Sequence, residues 1–164
     1  MRKITFIPLF LFLTLSLQGC WTWKIEDNRE SAYEPVVMNR TDFEQAVKMK
    51  VQENTIKAGK IYIKDNLLFI ADVNRGFHIY NYSNPANPSK IGFLNIPGAT
   101  DVAIRDNILY INQAVDLVAI EYDPIQNRIQ VTNRTRNVFP QKISPDGFTY
   151  ENSSANKIVT DWKE

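Results

Sequence analysis

The sequence predicts a mainly β fold, in which one short helix precedes two copies of a four-stranded antiparallel unit. The first observation is a repeat, because "IYIKDNLLFI" (61–70) and "VAIRDNILYI" (102–111) share one pattern. The second is composition, since Tyr, Phe and Ile are plentiful and only 6 of the 164 residues are Gly, which favours strands. The third is the period of the apolar residues, which is helical only over residues 40–53.

Residues 1–19 are predicted to form a lipoprotein signal peptide. Arg2 and Lys3 precede an apolar run over residues 4–17. At about 1.5 Å per residue this run spans roughly 21 Å, less than the ~30 Å hydrocarbon core of a bilayer. A basic start followed by a short apolar run is typical of a secretory signal rather than of a membrane-spanning helix.

The signal ends in Leu17-Gln18-Gly19-Cys20, which resembles the bacterial lipobox. In that motif a small residue precedes the cysteine whose thiol accepts a diacylglycerol group. Cys20 is the only cysteine of the chain, so no intramolecular disulfide can form. The alternative is an incidental cysteine behind an uncleaved anchor. We predict lipidation at Cys20, which would hold the mature N-terminus to a membrane, because each buried methylene contributes about 0.8 kcal/mol.

The next two segments are predicted to be a tether and a helix. Residues 20–39 mix polar and aromatic residues without a clear period, which indicates a lipidated tether. Its two tryptophans, Trp21 and Trp23, are expected either in the headgroup region or packed on the domain. Residues 40–53 are predicted to form an amphipathic helix, since Thr41 and Glu44 form a capping-box pattern.

The two repeats are predicted over residues 59–99 and 100–140. In each copy a short strand leads into an Asp-Asn pair and out into an apolar strand. Asp65-Asn66 and Asp106-Asn107 are therefore expected to form two-residue hairpin turns, because both residue types tolerate positive φ. A third strand, a proline turn and a fourth apolar segment follow in each copy. A period of about 41 residues with four short strands is the spacing of a propeller blade.

The chain from residue 141 to residue 164 is predicted to be a polar tail. It contains the turn sequence Ser144-Pro145-Asp146-Gly147. The apolar segment "IVTDW" at 158–162 is expected to add one terminal strand.

The segment "LLFIADVNRGFHIYNYSNPANPSKIGFLNIPG" (67–98) resembles the LVIVD repeat, a propeller-type β repeat. The matching elements are Leu67–Asp72, Gly76, Phe77–Tyr82, Asn84–Pro88 and Gly92. The second copy lacks the Gly and the second Pro. The chain as a whole is similar to the N-terminal part of longer LVIVD-repeat envelope lipoproteins. That resemblance implies a fold and a location, and no chemistry.

Two blades are fewer than the about four to eight that close a propeller, so the sequence predicts an incomplete propeller. Three explanations stay open. The chain is a truncated form of a longer family member, it completes its fold by self-association, or it is a compact two-sheet domain closed by the helix and the last strand.

The residues that carry chemistry give few candidates. The 19 basic residues nearly cancel the 18 acidic ones, without the basic field that nucleic-acid binding needs. Residues 72–76 only loosely resemble a calcium loop, since their Gly falls one position early. His78, the only histidine, lies in an alternating strand and is interpreted as a packed residue. No Walker or dinucleotide motif is present, so no cofactor and no metal are expected.

These observations predict a lipid-anchored, non-catalytic binding or scaffold module of the cell envelope, at the outer membrane of a Gram-negative bacterium. Its expected partners are the membrane, through Cys20, and a protein or a glycan; a homo-oligomer is a further expectation. The alternatives are a truncated fragment of a longer LVIVD-repeat lipoprotein, or an envelope glycan hydrolase that uses carboxylates such as Asp72 and Asp116.

Lipidation at Cys20 is tested by growing expressing cells with an alkyne fatty acid. We expect the wild-type chain to be labelled and the Cys20→Ala variant not to be, because only the thiol accepts the diacylglycerol group. Labelling that persists in the variant would refute the assignment.

Overall fold

The computed structural model describes residues 30–164, so the signal peptide, Cys20 and the first part of the predicted tether lie outside the described residues. The elements are β1 (Glu34–Asn39), α1 (Arg40–Gln45), β2 (Lys48–Lys50), β3 (Ala58–Lys64), β4 (Leu67–Asp72), β5 (Gly76–Asn81), β6 (Ser89–Asn95), β7 (Ala99–Arg105), β8 (Ile108–Gln113), β9 (Asp116–Asp123), β10 (Arg128–Thr135) and β11 (Lys157–Lys163).

The two repeats form two antiparallel sheets. The first sheet has the strand order β2-β6-β5-β4-β3, and the second has the order β10-β9-β8-β7. Consecutive strands of each repeat pair side by side, as in a simple meander. The predicted mainly β class with one short helix is confirmed for residues 30–164, and the sheets are open. That each sheet is a propeller blade stays a prediction.

The Asp-Asn pairs form the hairpin turns that the sequence predicts. Asp65 joins β3 to β4 with φ 53°, and Asp106 joins β7 to β8 with φ 54°. In both turns the aspartate takes the left-handed conformation, which short polar residues tolerate. The carbonyl groups of Asn66 and Asn107 accept hydrogen bonds from the backbone N–H groups of Tyr82 and Tyr122, respectively. The duplicated sequence therefore builds the same local structure twice.

The sheets stack in the same orientation, so each has a leading face and a trailing face that can be compared residue by residue. The leading faces contain Ile61, Ile63, Leu68, Ile70, His78 and Tyr80 in the first sheet, and the equivalent Val102, Ile104, Leu109, Ile111, Val118 and Ile120 in the second. The trailing faces contain Tyr62, Phe69, Ala71, Phe77 and Ile79, and the equivalent Ala103, Tyr110, Asn112, Leu117 and Ala119. Cross-strand partners point to the same side of a sheet, which fixes these sets.

The main core lies between the trailing face of the first sheet and the leading face of the second. Phe69, Ile79, Ile111 and Ile120 belong to this one buried cluster. The rings of Phe69 and Tyr122 meet edge to face across the two sheets, with centroids 6.3 Å apart, a geometry worth about 0.5–1.5 kcal/mol beyond area burial.

A polar link joins the sheets at β3 and β7. Asp101 accepts hydrogen bonds from Lys60, at 2.6 Å, and from the hydroxyl of Tyr62. The Lys60 ammonium and the Tyr62 hydroxyl hold the pKa of Asp101 below its usual value. Burial and the Asp101 carboxylate raise the pKa of Tyr62 to about 12. The tyrosine therefore stays protonated and keeps donating.

The helix predicted over residues 40–53 is shorter than expected. It ends at Gln45, and Lys48–Lys50 forms β2 at the edge of the first sheet, opposite β6. The side chain of Asn95 donates to the carbonyl of Ala46 at 2.6 Å, which fixes the turn between them. A long-range strand pairing therefore overrides the local helical period of this segment.

The end of the predicted tether is also a strand rather than a flexible segment. Glu34–Asn39 pairs antiparallel with β11, which covers the terminal strand predicted at 158–162. We call β1 and β11 the ribbon. A second small core joins the ribbon to α1 and the second sheet through Phe43, Val115 and Ile158.

In the described residues the two sheets stack on each other, and α1 and the ribbon pack beside the second sheet. The helix α1 has six residues, and the described part of the chain contains no helix long and apolar enough to cross a membrane.

The second core predicts a specific loss of stability. Phe43 is fully buried, so Phe43→Ala should lower the free energy of unfolding by about 3–5 kcal/mol, as expected for a cavity left by a buried aromatic ring. Val51, which is 85% exposed, provides the control, since Val51→Ala should stay within about 0.5 kcal/mol. Urea denaturation followed by circular dichroism measures both, and equal effects would contradict the assignment.

Candidate functional site

Asp72, one of the two candidate catalytic carboxylates, is a buried anchor at the end of β4. Its side chain is fully buried. It accepts hydrogen bonds from the backbone N–H groups of Ile56 and Lys57, at 3.1 and 2.8 Å. Arg75 donates to it at 2.6 Å. The carboxylate therefore attaches the segment before β3 to the end of the first sheet.

Asp116, the other candidate, has the same role in the second repeat. Its side chain is fully buried at the start of β9. Arg40 and Arg134 donate to it at 2.6 and 2.8 Å, and the backbone N–H of Asn137 donates at 3.0 Å. Both arginines also lie over the ring of Phe43. Asp116 therefore attaches α1 and the chain after β10 to the second sheet.

The two carboxylates occupy the same end of equivalent hairpins but come from different strands. Asp72 pairs with Gly76 in the first sheet, and Asp116 pairs with Gln113 in the second. A Cβ at position 76 would lie 1.9 Å from the carbonyl oxygen of Leu94. Only Gly fits there, so the first repeat carries its carboxylate on the opposite strand.

The electrostatics of both carboxylates oppose acid catalysis. Burial alone would raise the pKa of Asp72, but the N–H groups of Lys57 and Ile56 and the Arg75 charge outweigh it and hold the pKa below the usual value. Burial acts in the same direction on Asp116, and the Asn137 N–H with the two arginines again lowers its pKa. Neither group is exposed or protonated near neutral pH, so each stabilises the fold.

His78 is a packed residue, as the sequence predicts. It is fully buried, with its ring 4.8 Å from that of Phe93, and its Nε2 lies 3.3 Å from Asp72 Oδ2. Burial lowers the pKa of His78, more than its hydrogen bond with Asp72 raises it. The imidazole is therefore neutral at pH 7.

Residues 72–76 form a turn rather than a cation loop. Its one carboxylate, Asp72, already binds Arg75 and two backbone N–H groups. Asn74 has φ 62°, and its N–H donates to the carbonyl of Ala99. Within residues 30–164 no group of three or more His, Cys, Asp or Glu side chains is placed to hold a metal ion.

The best candidate site is a groove of about 690 Å³ between the ribbon and the end of the first sheet. We call it the ribbon groove. Its apolar lining is Val36, Met38, Ile56, Val73, Pro97 and Trp162, and its polar lining is Lys50, Lys57, Asn74, Arg75, Asn95, Thr160, Asp161 and Lys163. Ile56 is 73% exposed, so the groove presents apolar surface to solvent.

The rim of the ribbon groove is basic. Lys50 and Arg75 are each paired with Glu53, at 3.0 and 2.7 Å. Lys57 and Lys163, by contrast, form no ion pair with any residue in the described part of the chain. These two cations remain available to a ligand.

A partly buried network of hydrogen bonds holds the ribbon wall of the groove in place. Lys142 donates to Asn74 at 3.0 Å, and Asn74 donates to Asp161. Burial lowers the pKa of Lys142, and the Asp161 charge partly offsets that effect. The indole N–H of Trp162 donates to the carbonyl of Lys142 at 3.2 Å, which orients the ring. Asp161, the acidic residue among those that line the groove, therefore already has a hydrogen-bond donor within the protein.

The structure brings together few of the residues that the sequence singles out. Asp72 lies behind the ribbon groove, since its partner Arg75 lines it. Asp116 belongs to the other repeat, and Cys20 lies outside the described residues. The sequence gives no signal that Ile56 and Trp162 line one groove, because this depends on β11 returning to β1. Exposed Ile56 within a polar segment is the one available hint.

Comparison with known proteins finds no match to this chain among family models, curated proteins or solved structures. The resemblance to the LVIVD repeat therefore stays a prediction, and the site is interpreted from its own residues.

The buried His78 and Asp72 predict how stability depends on pH. The folded pKa of His78 is below its usual value near 6.5. As the pH falls below about 6.5, the unfolded chain therefore takes up a proton that the folded chain does not, and stability falls. The stabilisation from the depressed pKa of Asp72 is present above about pH 4 and is lost at lower pH.

Urea denaturation of the wild type and of His78→Gln between pH 8 and pH 5 separates these effects. Glutamine keeps a donor near Asp72 but does not titrate, so we expect its free energy of unfolding to stay level where that of the wild type declines. The same decline in both proteins would contradict this account of His78.

Proposed function

We propose that this protein is a lipid-anchored, non-catalytic binding module of the bacterial envelope, and that its ribbon groove binds an extended acidic segment of a partner protein. The ribbon groove is the observation that carries the proposal. It combines an exposed apolar lining with two lysines that are not paired among the described residues.

The charge of the groove favours an acidic peptide over a neutral glycan. Lys57 and Lys163 attract carboxylates, while Ile56 and Trp162 offer apolar contact. The groove's own acid, Asp161, accepts hydrogen bonds from Asn74 and from the backbone N–H of Trp162. An extended peptide with alternating acidic and apolar side chains matches both properties.

The buried carboxylates give little support to the alternative of a glycan hydrolase. Such enzymes use a protonated acid beside the scissile bond. Asp72 and Asp116 are buried and bound to arginines, and the pKa of each is lowered.

The envelope location belongs to the same proposal and rests on the sequence. Acylated Cys20 would anchor the chain, and the outer membrane of a Gram-negative bacterium is the proposed site. The polar segment before β1 would then separate the folded part from the bilayer.

The groove is tested with the full chain in detergent and two labelled peptides. The probe is a Glu/Leu peptide of about nine residues, roughly 30 Å when extended, and its control replaces each Glu by Lys. We expect the acidic probe to bind and the basic one not to bind. Affinity should fall as salt is added, because exposed charges are screened.

The double variant Lys57→Glu/Lys163→Glu should bind the acidic probe about tenfold more weakly, since each exposed pair is worth up to ~1 kcal/mol. Lys64→Glu is the matched control, because Lys64 pairs with Asp65 and does not line the groove. Fluorescence anisotropy measures each affinity. Equal binding of both peptides, or an equal loss in the control, would overturn the proposed site.

A further inference from the structure

We propose that two copies of this chain associate head to tail, with the leading face of the first sheet of one copy covered by the trailing face of the second sheet of another. This interface is separate from the ribbon groove.

The leading face of the first sheet is apolar and partly open. Ile61 and Ile63 on β3 are 61% and 57% exposed. Their cross-strand neighbours on the same face are Ile70 and Leu68, and Tyr80 continues the row. Ile61 and Ile63 thus form an exposed apolar patch at the β3 edge of this face, whose inner residues Leu68 and His78 are buried, and such a patch marks an interaction surface.

The chain itself shows what covers a leading face. In the second sheet, the residues equivalent to Ile61 and Ile63 are Val102 and Ile104, and both pack in the main core against the first sheet. The surface that covers them is a trailing face. The trailing face of the second sheet, which contains Tyr110 and the partly buried Leu117, has no such neighbour among residues 30–164.

Two contacts within the chain predict the contacts between copies. Within the chain, the ring of Phe69 meets the ring of Tyr122 edge to face across the two sheets. The equivalent contact between copies is Tyr110 of one copy against Tyr82 of the other. The ion pair of Lys60 with Asp101 joins equivalent positions of β3 and β7. The equivalent pair between copies joins Lys60 of one copy to Asp101 of the other, so the two charges are again opposite. Both side chains are at least half exposed, at 66% and 50%.

Such an interface joins different surfaces of the two copies, so it is heterologous and can continue from copy to copy. Two to four copies in a closed ring would contain about four to eight sheets, the range of known propellers.

The test is crosslinking in cells that express the full chain. Tyr82→Cys and Tyr110→Cys variants are made separately and carry different tags. A short bismaleimide should give a crosslinked dimer with both tags when the two variants are expressed together, and no dimer when either is expressed alone. A dimer from Tyr110→Cys alone would overturn the head-to-tail geometry. The proposed acylation occupies the Cys20 thiol, and the chain without either tyrosine substitution shows any crosslink that Cys20 itself forms.

Two further variants check that the apolar face drives the contact. Ile63→Asp, added to the Tyr82→Cys chain, should lower the dimer about tenfold, a loss of about 1.4 kcal/mol. Ile143→Asp changes a residue of the tail with similar exposure, 59%, and should leave the dimer unchanged. Circular dichroism confirms that each variant is folded. Absence of the mixed dimer, or its replacement by a crosslink from Tyr82→Cys to a different protein, would overturn the proposal of a second copy.

Discussion

Each four-stranded repeat has two apolar faces, and the rest of the structure depends on how those faces are covered. The first sheet covers one face of the second, and Phe69, Ile79, Ile111 and Ile120 fill the space between them. A single sheet of this kind cannot bury both sides, so duplication of the unit supplies a partner within the same chain. The leading face of the first sheet carries Ile61 and Ile63, which are exposed. The two ends of the stack therefore differ.

Two buried carboxylates attach the irregular segments to this stack. Asp72 binds the segment before β3, and Asp116 binds α1 and the chain after β10. Each carboxylate is buried with its arginine and N–H donors present, and removal of one partner from such a group leaves an uncompensated charge. Because the Asp72 cluster lies at the end of the first sheet beside the ribbon, it also fixes one wall of the ribbon groove.

The sequence predicts the parts of the fold that are local. The repeated strands, the Asp65-Asn66 and Asp106-Asn107 turns and the terminal strand follow from short patterns. The helix predicted over residues 40–53 is the main error. Lys48–Lys50 instead pairs with β6, a partner more than forty residues away in the sequence. The ribbon groove could not be predicted for the same reason, since β1 and β11 come from opposite ends of the described chain. The lipidation of Cys20 remains a prediction from its motif.

Stacking of one repeat on the other is the central claim, and a double-mutant cycle on Phe69→Leu and Tyr122→Leu tests it most directly. The two rings meet across the sheets, so the free energies of unfolding should show a coupling of about 0.5–1.5 kcal/mol. A cycle of Phe69→Leu with Phe43→Leu, in the separate second core, should be additive within about 0.5 kcal/mol. Additive effects for Phe69 and Tyr122 would contradict the stacked arrangement.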